Sequence, residues 1–438
     1  MFAASWLAAS SAEANGRFPA AGQIVVDPSD PAHILVRTTY GLLSTRDRGA
    51  TWDWICEEAV GYSGILDPPV AITADGTVLA GVFNGLSIAR GDSCGWAFVS
   101  GELTSRYVVD VSTEKGTPEA SVALSSNGLG NSQFVTRLWE SPHNAMTWVQ
   151  AGVDLPSDFL GLTVDVAPSD PAHVYASGLI AVGAGEYVGA IARSFDRGQT
   201  WEPLPIPESD ATTGPYLAAI DPGIPERLYL RVDGEPGRLL ASSNGGETWD
   251  EIFVGAGKLK GFALSPDGTT VLVGGDKDGI WRAASATLDF EKVSDVAVEC
   301  LTWFGADVYA CASEFRDGFT IGVSVDEGAT FTAMHHLPCV RGPLACDPAS
   351  TVATVCGGAW PPIAATLDWA SCNGQGGGSA ISSGGAPPSP EAETGEGCGC
   401  RTAPVAPRTA LALGLCLAAL ILRIRRRRSR PPRIQPSK

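Results

Sequence analysis

Short apolar runs alternate with clusters of Pro, Asp, Gly and Ser from about residue 20 to residue 336. Residues 24–38 (IVVDPSDPAHILVRT), 162–178 (LTVDVAPSDPAHVYASG), 217–232 (LAAIDPGIPERLYLRV) and 262–275 (FALSPDGTTVLVGG) share one plan. Each has an apolar run, a Pro/Asp/Gly turn and a second apolar run. That plan predicts β-hairpins, because branched and aromatic residues suit a pleated surface and the turn residues reverse the chain. Long runs of helical periodicity are absent before residue 405. With 52 Gly, 31 Pro and 44% hydrophobic residues, the composition fits many short strands better than helical bundles.

A second pattern, S-x-D-x-G-x-T-W, recurs beside the hairpins. Its copies are Ser44, Asp47, Gly49, Thr51 and Trp52, with one extra residue before the Asp, and Ser194, Asp196, Gly198, Thr200 and Trp201. Two variants follow: Ser242, Asn244, Gly246, Thr248 and Trp249, then Ser324, Asp326, Gly328, Thr330 and Phe331. Worn copies close at Trp96, Trp148 and Phe290. The resulting unit is about 41 to 50 residues long, and seven such units predict an all-β, seven-bladed propeller. A pair of β-sandwiches leaves the recurrent turn unexplained. Within the turn, Asp196 is expected to accept backbone N–H groups, Gly198 to take a positive φ, Thr200 to satisfy another turn group, and Trp201 to pack between sheets. Such turns lie far apart on a propeller's periphery, so their role is structural and no catalytic residue is assigned.

The repeat resembles the Asp-box, or BNR, motif of sialidase-like, sortilin-type and xyloglucanase-type propellers, where it forms the hairpin between the outer two strands of a blade. A sialidase of that class would need an arginine cluster, a Tyr/Glu nucleophile pair and an Asp acid/base. The family's F/Y-R-I-P start is only scrambled at residues 15–19 (NGRFP). Arg17, Arg37, Arg106, Arg231 and Arg316 are expected to be surface or hairpin residues, and Asp27, Asp165 and Asp221 to brace turns. His335 and His336 are adjacent on a strand and so face opposite ways. No Gly-rich phosphate loop, GxSxG elbow or HExxH occurs; no metal and no cofactor is expected.

The formal charge of −18 conceals two regions: residues 401–438 carry ten basic residues and no acid, leaving 20 basic against 48 acidic residues, about −28, before them. Such an acidic body repels phosphate backbones, which argues against nucleic-acid binding. Eleven cysteines without zinc-type spacing point to an oxidising, exported setting. The simplest pairs are Cys56–Cys94, Cys300–Cys311, Cys339–Cys346 and Cys356–Cys372. Residues 1–14 read as a signal-peptide remnant ending in an A-x-A site, although no Lys or Arg precedes the apolar stretch. The propeller is expected over 17–336, a Cys-rich extension over 337–372 and a flexible Gly/Ser/Pro linker over 373–397.

Residues 398–430 combine Cys398-Gly-Cys400-Arg, a short apolar helix over 409–422 and an arginine block from Arg423. Fourteen apolar residues span about 21 Å, short of the ~30 Å hydrocarbon core, while the arginines favour the cytoplasmic side. This order resembles the MYXO-CTERM sorting signal of myxobacterial surface proteins. The resemblance implies processing or lipid attachment at Cys398 or Cys400, sorting machinery as a partner, membrane contact through the helix, and display at the cell surface or outer membrane. The expected function is non-catalytic binding or adhesion to an extracellular glycan or protein, the alternative being a sialidase-like or other glycoside hydrolase.

Overall fold

The computed structural model describes residues 17–368 and Cys372. The expected signal remnant, linker, Cys398, Cys400 and C-terminal apolar helix lie outside the described residues.

Seven four-stranded antiparallel sheets form, each from one uninterrupted stretch of chain with its strands in sequence order. The blades cover residues 21–55, 70–98, 108–150, 159–205, 215–254, 259–294 and 298–335. The first strand of each blade lies against those of its two neighbours, and the first strand of blade 7, Val298–Phe304, adjoins that of blade 1, Ala21–Val26. Seven first strands thus surround an axis, and the predicted propeller is the observed fold. Middle strands such as Ile34–Thr38 and Val78–Val82 are buried on both sides because neighbouring blades cover both faces of each sheet. They therefore read as continuous apolar runs instead of alternating.

This meander gives the ring two unlike faces. Turns joining first to second and third to fourth strands emerge on one side, the turn face. Loops joining second to third strands, and the connections between blades, emerge on the other, the loop face. The hairpins of blades 3 and 4 contain the longest strands, Thr117–Gly130 and Val174–Gly183, and project furthest on the loop face.

The ring closes without strand exchange. Thr302 Oγ1 donates to the Ile24 carbonyl (2.9 Å) across the seam between blades 7 and 1. Beyond blade 7 the chain turns back over blade 1: Arg341 N donates to Trp52 O (2.9 Å), Trp54 N to Gly342 O (2.8 Å) and Leu344 N to Trp54 O (2.8 Å). The helix Thr351–Thr366 follows, capped by Ser350 and carrying Trp360 against Trp54 with ring centroids 5.3 Å apart. One hydrophobic core joins blades 7, 1 and 2 with this extension.

The disulfides follow that path. Cys56 bonds Cys356, Cys94 bonds Cys346 and Cys339 bonds Cys372, replacing the expected pairs Cys56–Cys94, Cys339–Cys346 and Cys356–Cys372. The expectation joined sequence neighbours, whereas the extension brings residues 252 and 300 positions away onto blades 2 and 1. Cys300 bonds Cys311, its cross-strand partner in blade 7. Four disulfides mark an exported protein that folds in an oxidising compartment. Among the described residues no helix is long and apolar enough to cross a membrane.

Candidate functional site

The repeated turns join the third and fourth strands of blades 1, 4, 5 and 7 at the rim of the turn face. In blade 4, Ser194 Oγ donates to Asp196 Oδ1 (2.8 Å) and accepts from the Gly198 amide (2.7 Å). Thr200 donates its amide to Oδ1 (2.8 Å) and its hydroxyl to Oδ2 (2.7 Å). Arg197 and Gly198 both take left-handed backbone conformations, at φ 57° and 83°. Blade 7 repeats the arrangement with Ser324, Asp326, Gly328 and Thr330. In blade 5 one bond is reversed: Asn244 Nδ2 donates to Thr248 Oγ1 (2.9 Å), while Ser242 and the Gly246 amide keep their places. In blade 1 the hydroxyl that bonds Asp47 and the Gly49 amide belongs to Thr45, not Ser44. No extra residue precedes Asp47; a Thr hydroxyl stands where the other turns have Ser.

Each turn aromatic leans on the preceding blade. Trp52, 2% exposed, faces His335 of blade 7 with ring centroids 5.5 Å apart. Trp201 donates to Val153 O (3.2 Å), in the connection leaving blade 3, and Trp249 packs with Ile191 of blade 4. Bonds from Thr200 and Ser194 hold Asp196 below the ordinary carboxylate range. Burial acts to raise Asp47 and Asp326, but their Thr51 and Thr330 partners outweigh it and both also lie low. These are ionised braces on separate blades. They do not meet.

The remaining candidates are equally dispersed. Asp27 accepts from the Ser29 (2.9 Å) and Asp30 (3.2 Å) amides and faces His33 Nδ1 at 3.0 Å, and Asp221 accepts from Gly223 (2.9 Å) and Ile224 (3.0 Å). Both brace turns. Asp165 does not: it lies on the first strand of blade 4, Phe159–Val166, two residues before Ala167, which takes the place Asp27 has in blade 1. Arg17 pairs with Asp67 (2.8 Å), and Arg37 approaches the same carboxylate (3.6 Å) while donating to Gly22 O (2.9 Å). Arg106 donates to Glu102 O (2.6 Å), Arg231 to Leu259 O (2.7 Å) and Lys260 O (3.0 Å), and Arg316 to Asp276 O. These five arginines fasten backbone and do not assemble a carboxylate-binding triad. His335 is buried and its pKa is pushed down to about 3, by burial first and by His336 second; His336 faces Glu314 (2.9 Å) on the other side. No group of three metal-ligating side chains occurs among the described residues.

Two kinds of residue escape sequence reading. One is a peripheral set of arginines. Arg90 donates to the carbonyls of Asn144 (3.0 Å) and Ala145 (2.9 Å), and Arg193 to that of Asn244 (3.1 Å) while pairing with Glu202 and Glu247. Each reaches from one blade into the turn of the next. The other is a set of first-strand braces, needed because the inner edge of each sheet has unpaired backbone groups. Gln23 Oε1 accepts from the Val70 amide (3.2 Å), Asp110 Oδ2 from Val164 (2.8 Å) and Thr163 Oγ1 from Leu217 (3.0 Å). Alignment of equivalent first-strand positions is the signal that would have found them.

Asp110 is the unusual member of that set. Burial raises its carboxyl to about 7 despite amide bonds from Val164 and Val111, and nearby Asp165 raises it further. Asp165 is also raised by burial, opposed by Lys115 and by bonds from Val166 and Ser112. Both side chains keep partial contact with solvent, yet the surrounding ring of protein sets their polar environment.

The axis opens differently at its two ends. At the turn face is a cup of about 390 Å³ to which all seven blades contribute. At the loop face several apolar and aromatic groups are exposed among polar ones: Phe83 stacks near Tyr107 with centroids 4.6 Å apart, and Phe18 near Phe315 at 5.6 Å. Leu129 and Val182 cap the two projecting hairpins at 64% and 59% exposure.

No family model and no curated protein matches the sequence. Among solved structures, an ancestral GH74 enzyme is similar at 15% identity and a TM-score of 0.51, covering 73% of this chain and 45% of that one. Hydrazine synthase of Kuenenia stuttgartiensis aligns at 11% identity and TM-score 0.48, over 73% of this chain and 99% of the other. A GH74 xyloglucanase from Xanthomonas campestris aligns at 16% identity and TM-score 0.37, over 70% and 63%. This chain spans less than half the length of the first of these. What it shares with that enzyme is a fold, and that fold is the seven-bladed all-β propeller.

Proposed function

We propose that this is a non-catalytic binding propeller of the cell surface, whose loop face engages an extracellular glycan or protein. One observation carries the reading: the loop face exposes apolar and aromatic side chains on several blades, including the Phe83–Tyr107 and Phe18–Phe315 pairs. Exposed aromatic faces suit sugar rings and protein hot spots alike. The turns that resemble Asp-boxes act as structural braces on the opposite side, and the C-terminal segment that resembles a MYXO-CTERM signal delivers the body to the surface. The test is binding of the full chain to arrayed glycans and to surface extracts, compared with Phe83→Ala and Phe315→Ala. Loss of a wild-type ligand in these variants, with folding intact, supports the reading. Undiminished binding overturns it.

A second reading, an extracellular glycoside hydrolase, has one observation in its favour. Asp110 has a carboxyl raised to about 7 beside Asp165, and a raised acid paired with a second carboxylate is the chemistry of glycoside cleavage. Against it, both carboxyls accept hydrogen bonds from the neighbouring blade. Turnover of a polysaccharide that disappears in Asp110→Asn would establish the hydrolase and displace the first reading.

A further inference from the structure

The turn-face cup lies at the opposite end of the axis from the proposed partner surface and has a chemistry of its own. Its volume of about 390 Å³ falls in the range of small-molecule sites, roughly 300–1,000 Å³. Much of its wall repeats from blade to blade: Pro28, Pro118, Pro168, Pro222 and Pro266 come from, or border, the turns joining first to second strands. Proline has no amide N–H to offer, so this wall is rigid and poor in donors. Blades 2 and 7 break the series: blade 2 contributes Ile72, and blade 7 Trp303 and Phe304.

Two charged side chains line the cup, Glu114 and Lys115. Glu114 is buried and paired with Arg197. Lys115 is exposed and makes no hydrogen bond or ion pair among the described residues. A cation at the mouth of an apolar cup, in an otherwise strongly acidic body, selects for ligand charge as the wall selects for ligand shape.

We propose that the cup binds a small organic anion with a flat apolar body, of the aromatic carboxylate or sulfonate class. The ring system lies against Trp303, Phe304 and the prolines, and the anionic group faces the Lys115 ammonium. The site is independent of whether the loop face binds a glycan or a protein.

The experiment titrates the full chain with 8-anilinonaphthalene-1-sulfonate, and in parallel with its neutral analogue N-phenyl-1-naphthylamine, following dye fluorescence. One saturable site is expected for the anionic dye. Lys115→Gln should weaken the anionic dye about tenfold and leave the neutral one unchanged, because a charge-assisted contact is lost and the apolar wall remains. Lys115→Arg should restore the anion, Trp303→Leu should weaken both dyes, and Phe83→Ala on the other face should change neither. Equal affinity for the anion in wild type and Lys115→Gln, loss of dye in Phe83→Ala, or no saturable binding would each overturn the proposal.

Discussion

The seam between blades 7 and 1 differs in kind from the seams between blades 3, 4 and 5. In the latter the chain itself passes from blade to blade, and polar contacts are added to apolar clusters shared by the facing sheets. Asp110 and Thr163 hold the next first strand, Arg197 pairs with Glu114 and Glu140, and Arg193 reaches the blade 5 turn. At the closing seam no strand is exchanged, so the extension supplies what connectivity cannot. It adds backbone hydrogen bonds along Trp52 and Trp54, a helix against blade 1, and disulfides to blades 1 and 2. A ring built of independent blades needs its strongest cross-links where the two ends of the chain meet.

Removing those cross-links is the most severe way to break the contrast. The double variant Cys56→Ser with Cys94→Ser removes both covalent ties between the extension and blades 1 and 2, which close loops of 300 and 252 residues. The chain-entropy model puts the loss on the order of 5 kcal/mol for loops of that size, against about 3 kcal/mol for the 11-residue separation of Cys300–Cys311. Denaturant unfolding of both double variants, Cys56→Ser/Cys94→Ser and Cys300→Ser/Cys311→Ser, measures the two losses. Equal losses would mean that the extension is not what closes the ring.

Next in size is the pair Trp52→Ala and Trp201→Ala, the same motif position on the two kinds of seam. Trp52 is almost fully buried against blade 7, and truncating such a side chain costs about 3–5 kcal/mol. Trp201 is only half-buried and its indole N–H reaches the connection leaving blade 3, so its loss should be clearly smaller. Thermal unfolding of the two variants tests the order.

How much of this was legible beforehand depended on whether the information was local. The hairpins, the blade count and the bracing role of Asp196 follow from turn chemistry confined to a few neighbouring residues. The disulfides Cys56–Cys356 and Cys94–Cys346 do not, because nothing near Cys56 encodes a partner 300 residues away. The same is true of Asp110, whose partner amide belongs to Val164 of the next blade. That Thr45 and not Ser44 braces the blade 1 turn is hidden for a local reason: both are hydroxyl residues, and only the hydrogen bonds tell which one faces the turn.

Asp110 also gives the polar seam its own pH signature. Its folded pKa, about 7, lies above the ordinary 3.8, so its favourable contribution is complete below the ordinary value and declines as pH rises toward 7. The decline approaches ~1.4 kcal/mol per pH unit in that window. Asp165 acts in the same direction, so the variant should keep part of the dependence. Asp110→Asn keeps an oxygen for the Val164 amide and removes the titration. It should gain on wild type as pH rises from 4 to 8, and denaturation across that range that moves in parallel for both proteins would refute the assignment.

The smallest effect separates two turns whose bracing side chains, Asp196 and Asn244, differ by a single atom type. In blade 4 the Thr200 hydroxyl donates to a carboxylate, and in blade 5 the Thr248 hydroxyl accepts from the Asn244 amide. Asn244→Asp should make the hydroxyl turn round and donate, converting a neutral bond into a charge-assisted one. If the new carboxyl behaves like Asp196, its folded pKa is depressed. The gain is then present above the ordinary carboxylate range and vanishes as pH falls through the folded value. The variant's Tm should therefore match wild type in acid and exceed it slightly at neutral pH, with Asp196→Asn showing the mirror-image loss. A Tm difference that is flat with pH in both variants would mean that these turns hold their shape through backbone geometry, with the carboxylates as bystanders.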